Sequence, residues 1–303
     1  MSSGILLLNK PTGISSARVL TPLKRIFSGD RIGHTGTLDP FADGLLVVLV
    51  GSATRLSRWF LKLDKRYTAG VRLGAETDTL DTEGTVIAEA PRPDAAAVRN
   101  AADRYHGDIM QVPPAFSALN VNGRRAYARA RAGETVDLPA RPVSIRALSV
   151  EPSADGDRFA MDVTCSSGTY IRALARDIAR DAGSRGYCET LRRESVGPFS
   201  LDAAVDIDSL MSAPHPEHSL LSPVEAMRRL DVMPLHPVPG PSVARVRNGQ
   251  PLDRVFPADA FTGEASVRLL VDETGDAALA VIVRREDGRW RYETVFPADG
   301  AAA

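Results

Sequence analysis

GHTGTLDPFADG, residues 33–44, sets Gly33, Gly36, Pro40 and Gly44 around the carboxylate of Asp39, immediately before the apolar run LLVVLV at 45–50. A loop that only reverses the chain needs one or two such residues. Asp followed by Pro is a common turn starter, so an ordinary turn is one reading of the stretch. The other is a carboxylate on a backbone that glycines allow close to a ligand, where it can act as a nucleophile once held ionised and away from water.

Working outward, LLVVLV reads as a central strand and ILLLN (5–9) as a second one, ending in the turn KPTG. Ser15 and Ser16 are candidate caps for an amphipathic helix through Phe27, with Pro22 removing one backbone bond inside it. ATRLSRWFLKL (53–63) reads as a helix, YTAGVRLG (67–74) as an alternating strand and DTLDTEG (78–84) as a turn. A helix capped by Asp94 is expected to Tyr105. RRAYARARAGE (124–134) has helical propensity and little apolar face, so it should be exposed. FAMDVTC (159–165) is a strand leading through Gly168 into a helix that puts Ile171, Leu174, Ala175 and Ile178 on one face before Gly183 ends it. Residues 212–241 hold seven prolines and three of the five histidines and read as a domain boundary. Beyond them, ASVRLLVD, ALAVIVRRED and RWRYETVF are short strands of a small all-β module.

With 303 residues, 44% hydrophobic and 25% charged, the chain can bury a real core and is long enough for one large domain and a smaller one. Its 37 basic and 38 acidic side chains exclude a uniformly basic nucleic-acid binder, yet the charge is uneven. From Leu119 to Arg146 six arginines face two acids, a local +4. Cys165 and Cys188 are too few for a disulfide framework or zinc site; reduced thiols are expected, although the two have the option of pairing. The apolar run in MSSGILLLNKPTG is too short for a signal-peptide core or a membrane span, so a cytoplasmic protein is expected. His215 and His218 have HxxH spacing but no third ligand, so no metal is assigned.

GHTGTLDPFADG resembles the catalytic motif of the pseudouridine synthases, in the form used by bacterial tRNA pseudouridine-55 synthases of the TruB type. Further blocks match that family in order: LLLNKPTGISS at 6–16, DKRYTAGVRLGAETDTLDTEG at 64–84, PPAFSALNVNGRRAYARARAG at 113–133, RPVSI at 141–145, CSSGTYIRALARDIA at 165–179 and LRRESVGPFS at 191–200. The resemblance covers the amino-terminal two thirds of the chain. It implies an α+β pseudouridine-synthase fold with a large mixed, mainly antiparallel sheet flanked by helices, followed by a small C-terminal all-β PUA-like domain. The implied limits are a catalytic domain at 1–230, with an RNA-clamping insertion at about 113–140, and the PUA-like domain at 231–303.

The implied reaction is isomerisation of uridine to pseudouridine in the T arm of tRNA, after flipping the base, by a monomer without metal or cofactor. Asp39 would be the nucleophile, through a covalent base adduct or a glycal intermediate. Tyr67, which alone reads as a core aromatic of a strand, would stack on the base and take part in proton transfer. Arg172 would pair with Asp39 and keep it anionic, since an adjacent guanidinium lowers a carboxylate pKa by ~1–3. Leu191 would cover the flipped base, His34 would lie against the RNA beside it, Tyr170 would line the pocket and Asp81 would support it. Arg124 and Arg125 would meet phosphates, with Tyr127 available for stacking. Lys10 and Pro11 would support the Asp39 loop, while Arg245 and Arg247 are candidate RNA contacts of the β module. The competing class is a noncatalytic RNA-binding or tRNA-folding protein on the same scaffold. The set Asp39, Tyr67 and Arg172 disfavours it, because binding alone needs no such trio.

Overall fold

The computed structural model describes residues 2–117, 120–121, 124–125, 127, 134, 138–154, 156–257 and 259–297, with backbone alone at 120–121 and 124–125. The two apolar runs form β1 (Gly4–Lys10) and β3 (Asp43–Val50), joined by α1 (Ser16–Ile26) and the short β2 (Ile32–His34). β1 and β3 pair antiparallel along their whole length, from Gly4 opposite Val50 to Lys10 opposite Gly44. Ser15 caps α1 by accepting from the Arg18 N–H, and Pro22 sits inside the helix without ending it. Val19, Leu20 and Leu23 of α1 pack on Leu6, Leu8, Leu46 and Val48, so both faces of these strands are buried and their sequences are continuously apolar.

The helix expected at 53–63 is present as α2 (Ser57–Leu61), preceded by a 3-10 segment, Gly51–Leu56, in place of its first turns. Thr54 Oγ1 donates to Gly51 O at 2.8 Å, a local bond that favours the tighter turn. β4 (Lys65–Leu73) alternates as expected, burying Tyr67, Ala69, Val71 and Leu73. β5 (Ala75–Thr77) and β6 (Val86–Glu89) bracket the DTLDTEG turn. α3 (Ala95–Ala102) starts at Asp94, whose carboxylate accepts from Ala97 N–H at 2.7 Å. After β7 (Gly107–Gln111), Arg124 and Arg125 form β9, paired with β8 (Asn120–Val121), so the helix expected from 124 does not begin there. The arginines at 129 and 131 lie outside the described residues.

β10 (Arg141–Pro152), β11 (Arg158–Cys165), α4 (Ile171–Asp181) and β12 (Gly186–Val196) complete the main sheet with β13 (Phe199–Ser200), β14 (Val205–Asp206) and β15 (Leu220–Leu221). The strand order is β14-β1-β3-β12-β4-β11-β10-β7, mostly antiparallel. β3 and β12 run parallel and touch at only two pairs, Arg192 opposite Asp43 and Arg193 opposite Gly44. That seam divides the sheet into two halves. α3 and α4 cover one face of the second half, with Val98, Leu174 and Ile178 on Ala69, Val71 and Val163. Cys165 lies opposite Lys65 and Cys188 opposite Val71 on β4, six residues apart, a span of about 20 Å that forbids a disulfide between them. Both thiols are free and buried.

The carboxy-terminal module is a four-stranded sheet, β16 (Leu235–Pro237), β17 (Val267–Val271), β18 (Ala278–Arg284) and β19 (Trp290–Val295), in sequence order. One side packs its own core of Val238, Val246, Phe256, Leu270 and Ile282. Leu269, Val271, Val281 and Phe296 instead join Ile5, Leu7, Leu45, Val47 and Met227 in a shared cluster, so the module is sealed onto the main sheet. Arg58 adds an ion pair to Glu293 at 2.6 Å, and Arg55 donates to the carbonyl of Val295.

Candidate active site

The opening loop joins β2 to β3 as a hairpin that ends at the seam. His34 pairs with Val48, Thr35 N–H reaches Val47 O at 3.0 Å, and Asp39 follows in a turn closed by Ala42 N–H on Asp39 O at 3.2 Å. The NKPTGISS block fixes both neighbours of Asp39. Ser16 Oγ donates to Leu38 O at 2.9 Å and accepts from Leu38 N–H at 2.8 Å, while Gly13 N–H reaches Pro40 O at 2.7 Å. Buried Lys10 shapes that block by giving Nζ to the carbonyls of Pro11 and Ile14, each at 2.8 Å. Gly44 has a positive φ of 100°, and a Cβ there would lie 2.4 Å from Arg193 O and 2.7 Å from Arg193 N. Only glycine lets the two halves of the sheet meet.

Arg172 is the second residue of α4, where the helix dipole disfavours a cation, and specific acceptors hold it there. Nε lies 2.9 Å from Asp39 Oδ2 and Nη1 3.0 Å from Asp81 Oδ2. Nη1 also donates to Thr79 O, and Nη2 to Phe116 O at 3.0 Å. One guanidinium thus ties the hairpin to the DTLDTEG turn and to the base of the insertion. Leu80 takes a left-handed φ of 63°, strain of roughly 1 kcal/mol or more, and lies between the two turn residues that Arg172 holds. Asp81 also accepts from Thr79 Oγ1 at 2.6 Å and Glu83 N–H at 3.0 Å. The start of α4 is held by Gln111, whose side chain bonds both Tyr170 N–H, at 2.8 Å, and Tyr170 O, at 3.1 Å.

Arg172 pulls the Asp39 pKa down, as the pairing implied, yet the net shift is upward. Burial pushes the Asp39 carboxyl above the ordinary carboxylate value; the Arg172 guanidinium opposes this and the Asp81 carboxylate adds to it. Desolvation wins although Asp39 keeps 34% of its side chain exposed, against 5% for Arg172 and 4% for Asp81.

Asp39 borders a cavity of about 290 Å³, whose wall includes Tyr67, Tyr170, Arg172, Leu191, Lys65 and Arg193. The structure therefore brings Asp39, Tyr67, Arg172, Leu191 and Tyr170 to one space, with Asp81 behind Arg172. Burial raises the pKa of both tyrosines. His34 is absent from this wall and borders an adjoining cleft with Lys24, Arg31 and Arg55. Its Nδ1 is buried without a partner among the described residues, and burial, with Arg193 adding to it, lowers its pKa. The side chains of Arg124 and Arg125 lie outside the described residues. Tyr127 is exposed and meets Phe116 edge to face, 6.2 Å between ring centres. Arg245 is tied to Gln250 and to the carbonyl of Arg254. His215 and His218 stack at 5.1 Å, and His215 Nδ1 lies 3.2 Å from Glu217. Among the described residues no group of three metal-ligating side chains occurs, and no helix is long and apolar enough to cross a membrane.

Arg193, Lys65, Gln111 and the cations beside His34 were not singled out from sequence. For Arg193 a signal existed: LRR lies in a strand, where successive side chains face opposite ways, so one of its two arginines had to point inward. Arg192 pairs with Asp43 at 2.9 Å and is 44% exposed, whereas Arg193 is 2% exposed.

The architecture is the pseudouridine-synthase fold with a PUA-like C-terminal sheet domain. A chain of the crystal structure of a Cbf5-Nop10-Gar1 complex superposes with a TM-score of 0.69 at 21% identity, covering 98% of this chain and 86% of that one. The family model described as TruB family pseudouridylate synthase (N terminal domain) matches residues 24–171. A tRNA pseudouridine synthase B of Bordetella pertussis is 46% identical over 223 residues, 72% of this chain and 91% of the relative. One of Burkholderia mallei is 44% identical over 251 residues, 82% of each. The chain belongs to the TruB family of pseudouridylate synthases.

Proposed function

We propose that this protein isomerises uridine to pseudouridine in tRNA, at position 55 of the T arm, with Asp39 as the acting carboxylate. The observation that carries this reading is Asp39 Oδ2 held 2.9 Å from a buried arginine at the edge of a cavity that also has Tyr67 and Leu191 in its wall. A base in a folded arm is out of reach while stacked, so the nucleotide is extruded into this cavity, a step that costs a few kcal/mol. Tyr67 offers its ring face to the base and Leu191 closes over it. Arg172 aims Asp39 and limits how far burial and the Asp81 carboxylate lift its pKa. Either route, base adduct or glycal, starts from the Asp39 anion. The dissociated base then turns and rejoins the sugar through carbon, with neither metal nor cofactor taking part.

Phosphate contacts repay the extrusion. We assign them to the 113–140 insertion, through Arg124 and Arg125, and to the cleft that His34 shares with Lys24 and Arg31. Residues 1–230 form the catalytic domain and 231–303 the PUA-like domain; the protein works as a monomer in the cytoplasm. A purely RNA-folding role is disfavoured, since folding a tRNA gives no use to a carboxylate kept in a half-dry pocket against an arginine. The test is to incubate the purified protein with an unmodified tRNA transcript, without metal or cofactor, and to map pseudouridine along it. Conversion at the T-arm uridine is expected. Tight binding with no product on any tRNA would overturn the reading in favour of RNA folding.

A further inference from the structure

Among the described residues two arginines line the cavity, and of these one is neutralised by carboxylates. Arg172 meets Asp39 and Asp81. Arg193 is 2% exposed and, among the described residues, forms no ion pair with a carboxylate. Its Nε and Nη2 donate to the carbonyls of Leu45 and Gly36 at 2.7 and 3.1 Å, and its guanidinium faces the Tyr67 hydroxyl. Two more buried cations stand around it. Lys65 gives Nζ to the carbonyls of Leu61 and Leu63, at 2.9 and 2.6 Å, and Lys10 feels Asp43 and Asp39 as well as Arg193. Burial first, with repulsion from Arg193 adding to it, pushes both lysines down to about 8. Gathering cations in a dry wall is unfavourable for folding, and apolar side chains would serve stability better. It becomes useful where negative charge must arise during a reaction.

We infer that Arg193 is a further catalytic residue: its guanidinium, backed by Lys65, stabilises the negative charge that the uracil ring acquires when its bond to the sugar breaks. The inference rests on the reaction proposed above. As the C1′–N1 bond breaks, its electron pair stays on the ring and spreads onto the ring oxygens. The new C5–C1′ bond uses a ring electron pair, the C5 proton leaves and N1 takes one up, so product and substrate are isomers. The ring is negative between these events by either route from Asp39. Arg172 is poorly suited to this task, because two carboxylates already share its charge.

The test compares single-turnover loss of the target nucleoside from T-arm RNA carrying uridine or 5-fluorouridine, using wild type, Arg193→Met and Arg193→Lys. Fluorine withdraws electrons and stabilises the detached base by itself, so the substituted RNA depends less on a cation in the wall. On uridine RNA, Arg193→Met should lose about 10²- to 10³-fold, the usual effect of removing one donor to a developing anion, with RNA binding little changed. On fluorouridine RNA its loss should be roughly ten-fold smaller, and Arg193→Lys should fall between Met and wild type on both. Equal fold-losses on the two RNAs would overturn the inference and leave Arg193 a strut for the loop. Should circular dichroism find Arg193→Met unfolded, Arg193→Lys carries the comparison alone, with a smaller loss on the fluorinated RNA expected and an equal loss overturning. A wild type that converts no uridine would overturn the reaction instead.

Discussion

Arg172, from the start of α4, and Arg193, from β12 at the seam, face the same cavity, and they do different things. Arg172 binds carboxylates and lowers the pKa of Asp39, whereas Arg193, among the described residues, meets carbonyls and the Tyr67 hydroxyl but no carboxylate. A buried arginine is thus defined by what balances it. On the proposed reaction, the neutralised arginine prepares the anion that begins it, and the unneutralised one receives the anion that it makes.

The largest effect should come from the group that both sides serve. Asp39→Asn should lower single-turnover isomerisation by about 10⁴-fold or more, as removal of an essential nucleophile does, while tRNA retention on a filter stays within a few-fold. Arg172→Gln should cost about 10²- to 10³-fold in rate. It should also remove roughly 3–5 kcal/mol of stability in urea melts, because Asp81 is left buried and unpaired. That stability loss sharpens the contrast, since Arg193→Met leaves no buried carboxylate behind and should melt closer to wild type. Gly44→Ala should destabilise by roughly 2–4 kcal/mol, because its Cβ meets Arg193 backbone at 2.4 Å with a φ of 100°. A thermal midpoint equal to wild type would mean the seam is not held as described. The smallest effect is expected in the insertion: Arg124→Ala with Arg125→Ala should weaken tRNA binding and reduce its log–log salt slope by about 1–2.

The same contrast marks what could be read in advance. Asp39 was legible because glycines and Pro40 mark a turn around it, and Tyr67 and Arg172 followed from blocks whose order matched a known family. The alternating β4 and the apolar β1 and β3 were legible because periodicity reports burial directly. The sign of the Asp39 pKa shift was not, since it depends on whether desolvation exceeds one ion pair, a tertiary quantity. Nor was the partner list of Arg193, whose acceptors at Gly36 and Leu45 are 157 and 148 residues away in the chain. Backbone acceptors carry no side-chain signature, so a guanidinium satisfied by carbonyls leaves no trace in sequence. In the 53–63 segment the helix was legible but its 3-10 start was not, because that rests on the local bond from Thr54 to Gly51 O that tightens the first turn.

The pH dependence of single-turnover isomerisation, in wild type beside Asp81→Asn, bears most directly on the idea that Asp39 acts as an anion whose charge is set by its surroundings. Burial raises the folded pKa of Asp39, so the rate should climb with pH through a limb above the ordinary carboxylate value of 3.8. Asp81 raises that pKa further, so replacing it by Asn removes a repelling charge and should move the limb to lower pH. A limb that stays in place, or moves to higher pH, would contradict the assignment of Asp39 as the titrating group tuned by the Arg172–Asp81 pair.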